Sequence, residues 1–249
     1  MRYFIYLSYN GTNYNGWQTQ PNAPSVQKTL EKCLSVLLLQ PISITGAGRT
    51  DTGVHAEMMT AHFDVETPIK NISLLVKKLN SFLPKDIAVQ KIVELDLHAR
   101  FDAISRSYEY RITLQKNPFL NDFAYYFHGK LDFEMMNEAA KTLFDYTDFT
   151  SFSKLHTDVK TNNCRIIHAE WTQRGEEWIF KIAADRFLRN MVRAIVGTLL
   201  EVGKGKMTIK QFRQVIEAKD RCQAGTSVPA CGLYLVHVCY AIKGCADKN

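Results

Sequence analysis

Long apolar runs are missing from this chain. No segment approaches the roughly 18 consecutive apolar residues of a membrane-spanning helix, so a membrane-embedded reading falls away. The opening Met1-Arg2-Tyr3-Phe4-Ile5-Tyr6-Leu7 has too short an apolar stretch for a signal peptide. Glycine (13) and proline (7) are scarce among 249 residues, which excludes collagen-like and linker-dominated chains. Six cysteines are present, and no two stand at the C-x-x-C spacing of a structural zinc site. Reduced, buried thiols in a cytosolic protein are the expectation. Neither sign of charge dominates: 31 Lys and Arg against 25 Asp and Glu leave +6. That is compatible with a polyanionic partner without requiring one. Hydrophobic residues at 46% and charged residues at 22% are ordinary globular usage, and the length allows one large domain or two small ones.

What is present reads as mixed helix and strand. Residues 2–9 alternate, with Tyr3, Ile5, Leu7 and Tyr9 on one face. Gly11 to Gly16 is turn-rich, and Pro24-Ser25 opens a helix that ends at Pro41. Strands are expected at 42–44, 61–65, 86–95, 105–114, 164–172, 177–184 and 232–242. Helices are expected at 71–80, from Asp132, and over 186–201. Thr208 followed by Gln211 is a capping-box pattern. Strict βαβ alternation is absent, so the expectation is an α+β fold in two halves, 1–104 and 105–249, with similar helix–strand content.

Familiar nucleotide motifs fail. Gly46-Ala47-Gly48-Arg49-Thr50-Asp51 lacks the third glycine of a dinucleotide loop and places an acid where a pyrophosphate would sit. Gly197 to Gly203 with Lys204 is mis-spaced for a P-loop. His237 and Cys239 share a strand face and are expected to be buried structural residues, not metal ligands.

The informative stretch is Gly46 to Ala56. An Asp hemmed by glycines on a loop is available to a ligand, although a local turn with Asp51 bonded to nearby amides is the plainer alternative. In a cleft, Asp51 needs a cation nearby to stay ionised. If 186–201 is helical, Arg186, Arg189 and Arg193 form one stripe, at the rim of an otherwise apolar helix where RNA phosphates could be met.

Gly48-Arg49-Thr50-Asp51-Thr52-Gly53-Val54-His55-Ala56 resembles the signature of the tRNA pseudouridine synthase A family, with Thr52 where that family usually has Ala. Tyr14-Asn15-Gly16-Trp17-Gln18, His98-Ala99-Arg100-Phe101, Tyr108-Glu109-Tyr110, Met191-Val192-Arg193 and Gly232-Leu233-Tyr234-Leu235 resemble further blocks along nearly the whole chain. The resemblance implies a pseudouridine synthase fold: two α/β halves around a central, mostly antiparallel sheet, with flanking helices and a cleft between them. It implies a cytoplasmic homodimer that uses no cofactor and no metal and isomerises uridine at positions 38, 39 and 40 of the tRNA anticodon arm. Asp51 is then the essential carboxylate. It acts at C1′, at the base or on a ribose proton as the glycosidic bond breaks and the uracil rejoins through C5. Tyr108 matches the residue that stacks on the target base and assists proton removal. Arg193 matches the basic partner of the aspartate, and Arg49 the arginine that holds the flipped nucleotide. Leu235 is expected to wall the base pocket, and Arg189 and Lys204 to contact phosphate. A silent RNA-binding module and a small-molecule enzyme are the rival readings. The first has no use for the retained Asp51, Tyr108 and Arg193, and the second lacks a phosphate-loop lysine.

Overall fold

The computed structural model describes residues 1–154 and 161–241; Cys245 lies outside them. The alternation near the N-terminus becomes β1 (Arg2–Tyr9), whose Tyr3, Ile5, Leu7 and Tyr9 are all buried. Ser25 caps α1 (Val26–Leu38) by accepting from the Lys28 N–H, which satisfies one of the amides a helix start leaves unpaired. β2 (Ile44–Gly46), β3 (His55–Asp64), α2 (Ile72–Phe82) and β4 (Ile87–Glu94) complete the first half. β1 lies between β3 and β4, antiparallel to both, and β2 pairs antiparallel with β3. The local order is β4-β1-β3-β2, that of a split β-α-β unit.

The second half repeats it. β5 (Ala103–Thr113) is followed by the short β6 (Tyr125–Tyr126), α3 (Phe133–Lys141), β7 (Ile166–Arg174), β8 (Glu177–Ala184), α4 (Met191–Gly203), α5 (Ile209–Glu217) and β9 (Leu233–Tyr240). β5 lies antiparallel between β8 and β9, and β7 pairs antiparallel with β8, giving β9-β5-β8-β7. Apart from β6 and α5, the two halves share one topology. The similar content of the halves hints at this in the sequence, and the strand order establishes it.

The halves join edge to edge in one nine-stranded sheet. The joint is short and parallel: His55 opposite Tyr234 and Ala56 opposite Leu235. Leu235 in turn faces Tyr108, and Tyr108 faces Ile182. Two hydrophobic cores form on this sheet, one around β1, α1 and α2, the other around α3, α4 and α5. They interlock: Val54, from the first half, packs in the second core, while Leu235 and Val238 pack in the first. Tyr108 touches both.

Several expectations need correction. The helix expected at 186–201 is α4, Met191–Gly203, and Arg186 and Arg189 precede it, so the three arginines are not a helical stripe. Asn190, left-handed at φ 67°, starts α4 late; its amide donates to the Ser227 hydroxyl (2.7 Å). α4 is buried all round except at Arg193 and Glu201, which fits a helix inside a core. β3 begins at His55, six residues earlier than its apolar end suggests. The capping box at Thr208 and Gln211 is present on α5. His237 is exposed and Cys239 half-buried, so neither is the buried residue expected. Cys33 and Cys164 are buried free thiols, whereas the free Cys222 is exposed. Among the described residues no helix is long and apolar enough to cross a membrane.

Two buried histidines make this fold acid-sensitive. His62 Nδ1 accepts from the Ala99 N–H (3.0 Å), and burial, with Arg2 and His98 nearby, lowers its pKa to about 4. Burial also lowers the pKa of His55. A folded-state pKa below the unfolded value of about 6.5 means the folded form binds fewer protons. The stability these rings confer is complete above pH about 6.5 and declines below it, for His62 until pH about 4. Denaturant titrations between pH 7 and pH 4 should show this decline, and His62→Gln, which keeps an acceptor for Ala99, should flatten it.

Candidate active site

The Asp51 loop is the connection between β2 and β3, and the N-terminal turn wraps around it. The Trp17 N–H donates to the Thr50 carbonyl (3.2 Å) and the Gly53 N–H to the Tyr14 carbonyl (3.3 Å). The Tyr9 and Thr50 hydroxyls are 2.8 Å apart and share a hydrogen bond. Gly16, at φ +86°, has the Thr50 carbonyl where a Cβ would stand, so only glycine fits there. Of the loop's own glycines, Gly53 alone is left-handed (φ +76°). The loop is therefore held by backbone contacts, and the Asp51 side chain is left free to face outward instead of capping a local turn.

Two guanidinium groups from the other half meet it. Arg189 Nε lies 3.5 Å from one Asp51 oxygen and Arg193 Nη1 3.9 Å from the other. Arg193 is itself anchored: its Nε donates to the Val228 carbonyl (2.7 Å). Asp51 is 30% exposed, Arg193 21% and Arg189 58%. Such partly exposed pairs are worth up to about 1 kcal/mol of stability each. Their importance lies in aiming the carboxylate across the seam between the halves.

Tyr108 stands on β5 beside this pair. It is half-buried, with Phe187 edge-on at 5.1 Å. Burial pushes its pKa up to about 12; Arg106 opposes that shift and the Asp51 charge adds to it. At neutral pH the group is a phenol, with a ring to stack and an O–H to donate. Leu235 is its cross-strand neighbour and is fully buried in the first core. Arg49 is exposed, two residues from Asp51. The structure thus brings Asp51, Arg189 and Arg193 together, sets Tyr108 within reach of the Asp51 charge, and pairs Leu235 with Tyr108 across the strands. Lys204 is not part of this group. It ends α4 at the opposite pole from Arg193, roughly 16 Å away at 1.5 Å per residue, and pairs with Glu201 (2.8 Å).

Sequence reasoning missed Arg106, two residues before Tyr108. Its Nη1 donates to the carbonyls of Ala103 and Asp185 (both 3.0 Å), and its Nη2 to those of Ala47 (2.9 Å) and Arg100 (2.6 Å). One guanidinium thus ties together the Asp51 loop, the β4–β5 turn, the start of β5 and the loop leading to Arg189. Only its place in the pattern Arg106-Ser107-Tyr108 could have singled it out, and a strand arginine is commonplace. His55 is a second fastener: Nδ1 accepts from the Gly11 N–H (3.1 Å) and Nε2 lies 3.2 Å from the Cys231 carbonyl. Among the described residues no three His, Cys, Asp or Glu side chains group to hold a metal. Arg106→Ala strips four carbonyls of their donor and should lower unfolding stability by about 2–4 kcal/mol in denaturant titration, well beyond the effect of an exposed arginine.

A family model described as tRNA pseudouridine synthase matches residues 5–102 and 139–241, one stretch in each half. The chain is 64% identical over 241 residues to tRNA pseudouridine synthase A of Parabacteroides distasonis, covering 96% of both chains. It is 60% identical over 244 residues to tRNA pseudouridine synthase A of Bacteroides thetaiotaomicron, covering 96% of this chain and 90% of that one. The protein of the same name in Aliivibrio salmonicida is 38% identical over 244 residues, covering 96% and 93%.

Proposed function

The chain belongs to the tRNA pseudouridine synthase family, and from that premise we propose that it isomerises uridine to pseudouridine at positions 38, 39 and 40 of the tRNA anticodon stem-loop, with Asp51 as the catalytic residue. The observation that carries the assignment is the Asp51 carboxylate aimed at the seam by Arg189 and Arg193, with the Tyr108 phenol beside it.

The reaction conserves atoms. The N1–C1′ bond breaks, the uracil turns, C5 bonds to C1′, the C5 proton leaves and N1 gains a proton. Each route open to Asp51, at C1′, at the base or on a ribose proton, needs an anionic oxygen beside the reacting nucleoside. Arg193, anchored on Val228, keeps that oxygen in place while the base moves. Tyr108 enters as a phenol, its ring offering a stacking face to the extruded uracil and its O–H a proton donor. Leu235 closes the apolar side of that face. Arg49 and the exposed part of Arg189 take backbone phosphates. The active form is a homodimer in the cytosol, without cofactor. Two copies double the charge of +6 per chain and spread the phosphate contacts. The free thiols Cys33 and Cys164 suit a reducing compartment.

Tritium release from tRNA carrying C5-labelled uridine tests the assignment. Wild-type protein should release tritium. Asp51→Asn, which keeps shape but not charge, should release none while binding tRNA within about twofold of wild type. Tyr108→Phe should keep tRNA affinity and lose roughly 10²-fold in turnover, the scale of a lost proton-transfer group. Bound tRNA with no tritium released by the wild type would leave only a silent binding module.

A further inference from the structure

The turn between β4 and β5 carries His98-Ala99-Arg100-Phe101, which the reaction described above leaves unused. Phe101 is 75% exposed. A lone exposed apolar side chain is ordinary; the rigidity of the backbone beneath this one is not. His98 Nδ1 accepts from the N–H groups of both Arg100 and Phe101 (3.2 Å each). The Asp102 carboxylate accepts from the His98 N–H (2.6 Å), and the Asp102 N–H donates to the His98 carbonyl. Ala99 is tied at both ends, its N–H to His62 and its carbonyl to the Tyr240 hydroxyl (2.6 Å). The Phe101 ring stacks on His98 (4.3 Å, 27° between planes), and the Arg100 guanidinium lies 5.9 Å from the Phe101 ring centroid. A locked turn thus displays an aromatic ring and a cation to solvent.

The turn also lies against the Asp51 loop. Arg106 Nη2 bonds the Arg100 carbonyl and the Ala47 carbonyl with one nitrogen, so the two loops are neighbours, with Arg49 two residues beyond Ala47. Arg49 and Arg100 are both exposed, and among the described residues neither has a carboxylate partner. Asp51 faces Arg189 and Arg193, Asp102 accepts from the His98 N–H, and Asp185 accepts from the amides of Arg165 and Arg186. Unpaired guanidinium groups beside a fixed, exposed ring are the means by which proteins hold unpaired nucleotides: phosphate on the cation, base on the ring.

We propose that Arg100 and Phe101 form a second RNA-contact site, in which Phe101 stacks on the base of an unpaired nucleotide flanking the reacting uridine and Arg100 takes its phosphate, with Arg106 as the positioning residue that fixes this turn against the Asp51 loop. This rests on the isomerase reading for the identity of the RNA. The test combines equilibrium tRNA binding over a range of salt with tritium-release kinetics, using the full chain. Phe101→Ala should weaken binding roughly 5- to 150-fold, with the loss appearing in KM and not in kcat, and Phe101→Trp should restore it. Arg100→Ala should reduce the slope of log affinity against log salt by about 0.7. Arg106→Lys keeps the cation but not the four-bond fork; it should weaken binding and add little to Phe101→Ala in the double variant, which a role in stability alone would not produce. Unchanged affinity in Phe101→Ala with an unchanged salt slope in Arg100→Ala overturns the proposal, and so does an affinity loss in Phe101→Ala matched by a lower unfolding temperature of that variant. Wild-type protein that releases no tritium, with the binding changes present, removes the isomerase reading and leaves the contact site standing.

Discussion

A carboxylate from one half of the molecule faces two guanidinium groups from the other, and the sheet is built so that they meet. Asp51 sits on the β2–β3 loop, while Arg189 and Arg193 flank the start of α4. The only strand pairing between β3 and β9 is the two-residue parallel stretch at His55 and Ala56, just beyond the loop. A joint so short has little hydrogen bonding of its own, and its rigidity comes from elsewhere. Val54 inserts into the far core, Leu235 and Val238 insert into the near one, and His55 and Arg106 bond backbone groups on both sides. The ion pairs add little stability at their exposure. The energy that holds Asp51 in place is apolar burial on either side of the seam.

Each half uses the same β-α-β-β-α-β plan, yet the two play different parts. In the first, the β2–β3 connection is long and carries the carboxylate; in the second, the matching β7–β8 connection is a tight turn at Gly175. In the second, the helix after the hairpin is α4, buried nearly all round, whose first turn exposes only Arg193. One copy of the plan supplies the carboxylate and the other its two guanidinium partners and the Tyr108 phenol. A site assembled from two copies in this way lies at the junction, where an RNA strand can reach it from outside while both cores stay closed.

Much of this was legible in the chain. Alternation marked β1 because Tyr3, Ile5, Leu7 and Tyr9 line one buried face, and Ser25 and Thr208 marked helix starts because their side chains accept from first-turn amides. The glycine-hemmed Asp51 stood out because no local element needed it. The misses have physical causes. Phe187 and Leu188 continue the apolar period of α4 although the chain there is irregular, since both pack against the core from a loop; a left-handed Asn190 leaves no mark in composition. The first residues of β3 are mixed in polarity because Ala56 and Met59 pack in the first core while Glu57 is exposed and pairs with Arg111. Arg106 was invisible because its partners are carbonyls of segments far apart in sequence, and a backbone acceptor has no residue type.

The central claim is that Arg193 acts through Asp51 across the seam. A double-mutant cycle on turnover isolates that coupling: Asp51→Glu, Arg193→Lys and the pair together, each measured by pseudouridine formation at saturating tRNA. The account predicts strong non-additivity, with the double variant losing little more than the worse single one because both disturb one geometry. Losses that multiply independently would show that the arginine does not hold the carboxylate, and the seam would cease to explain the chemistry.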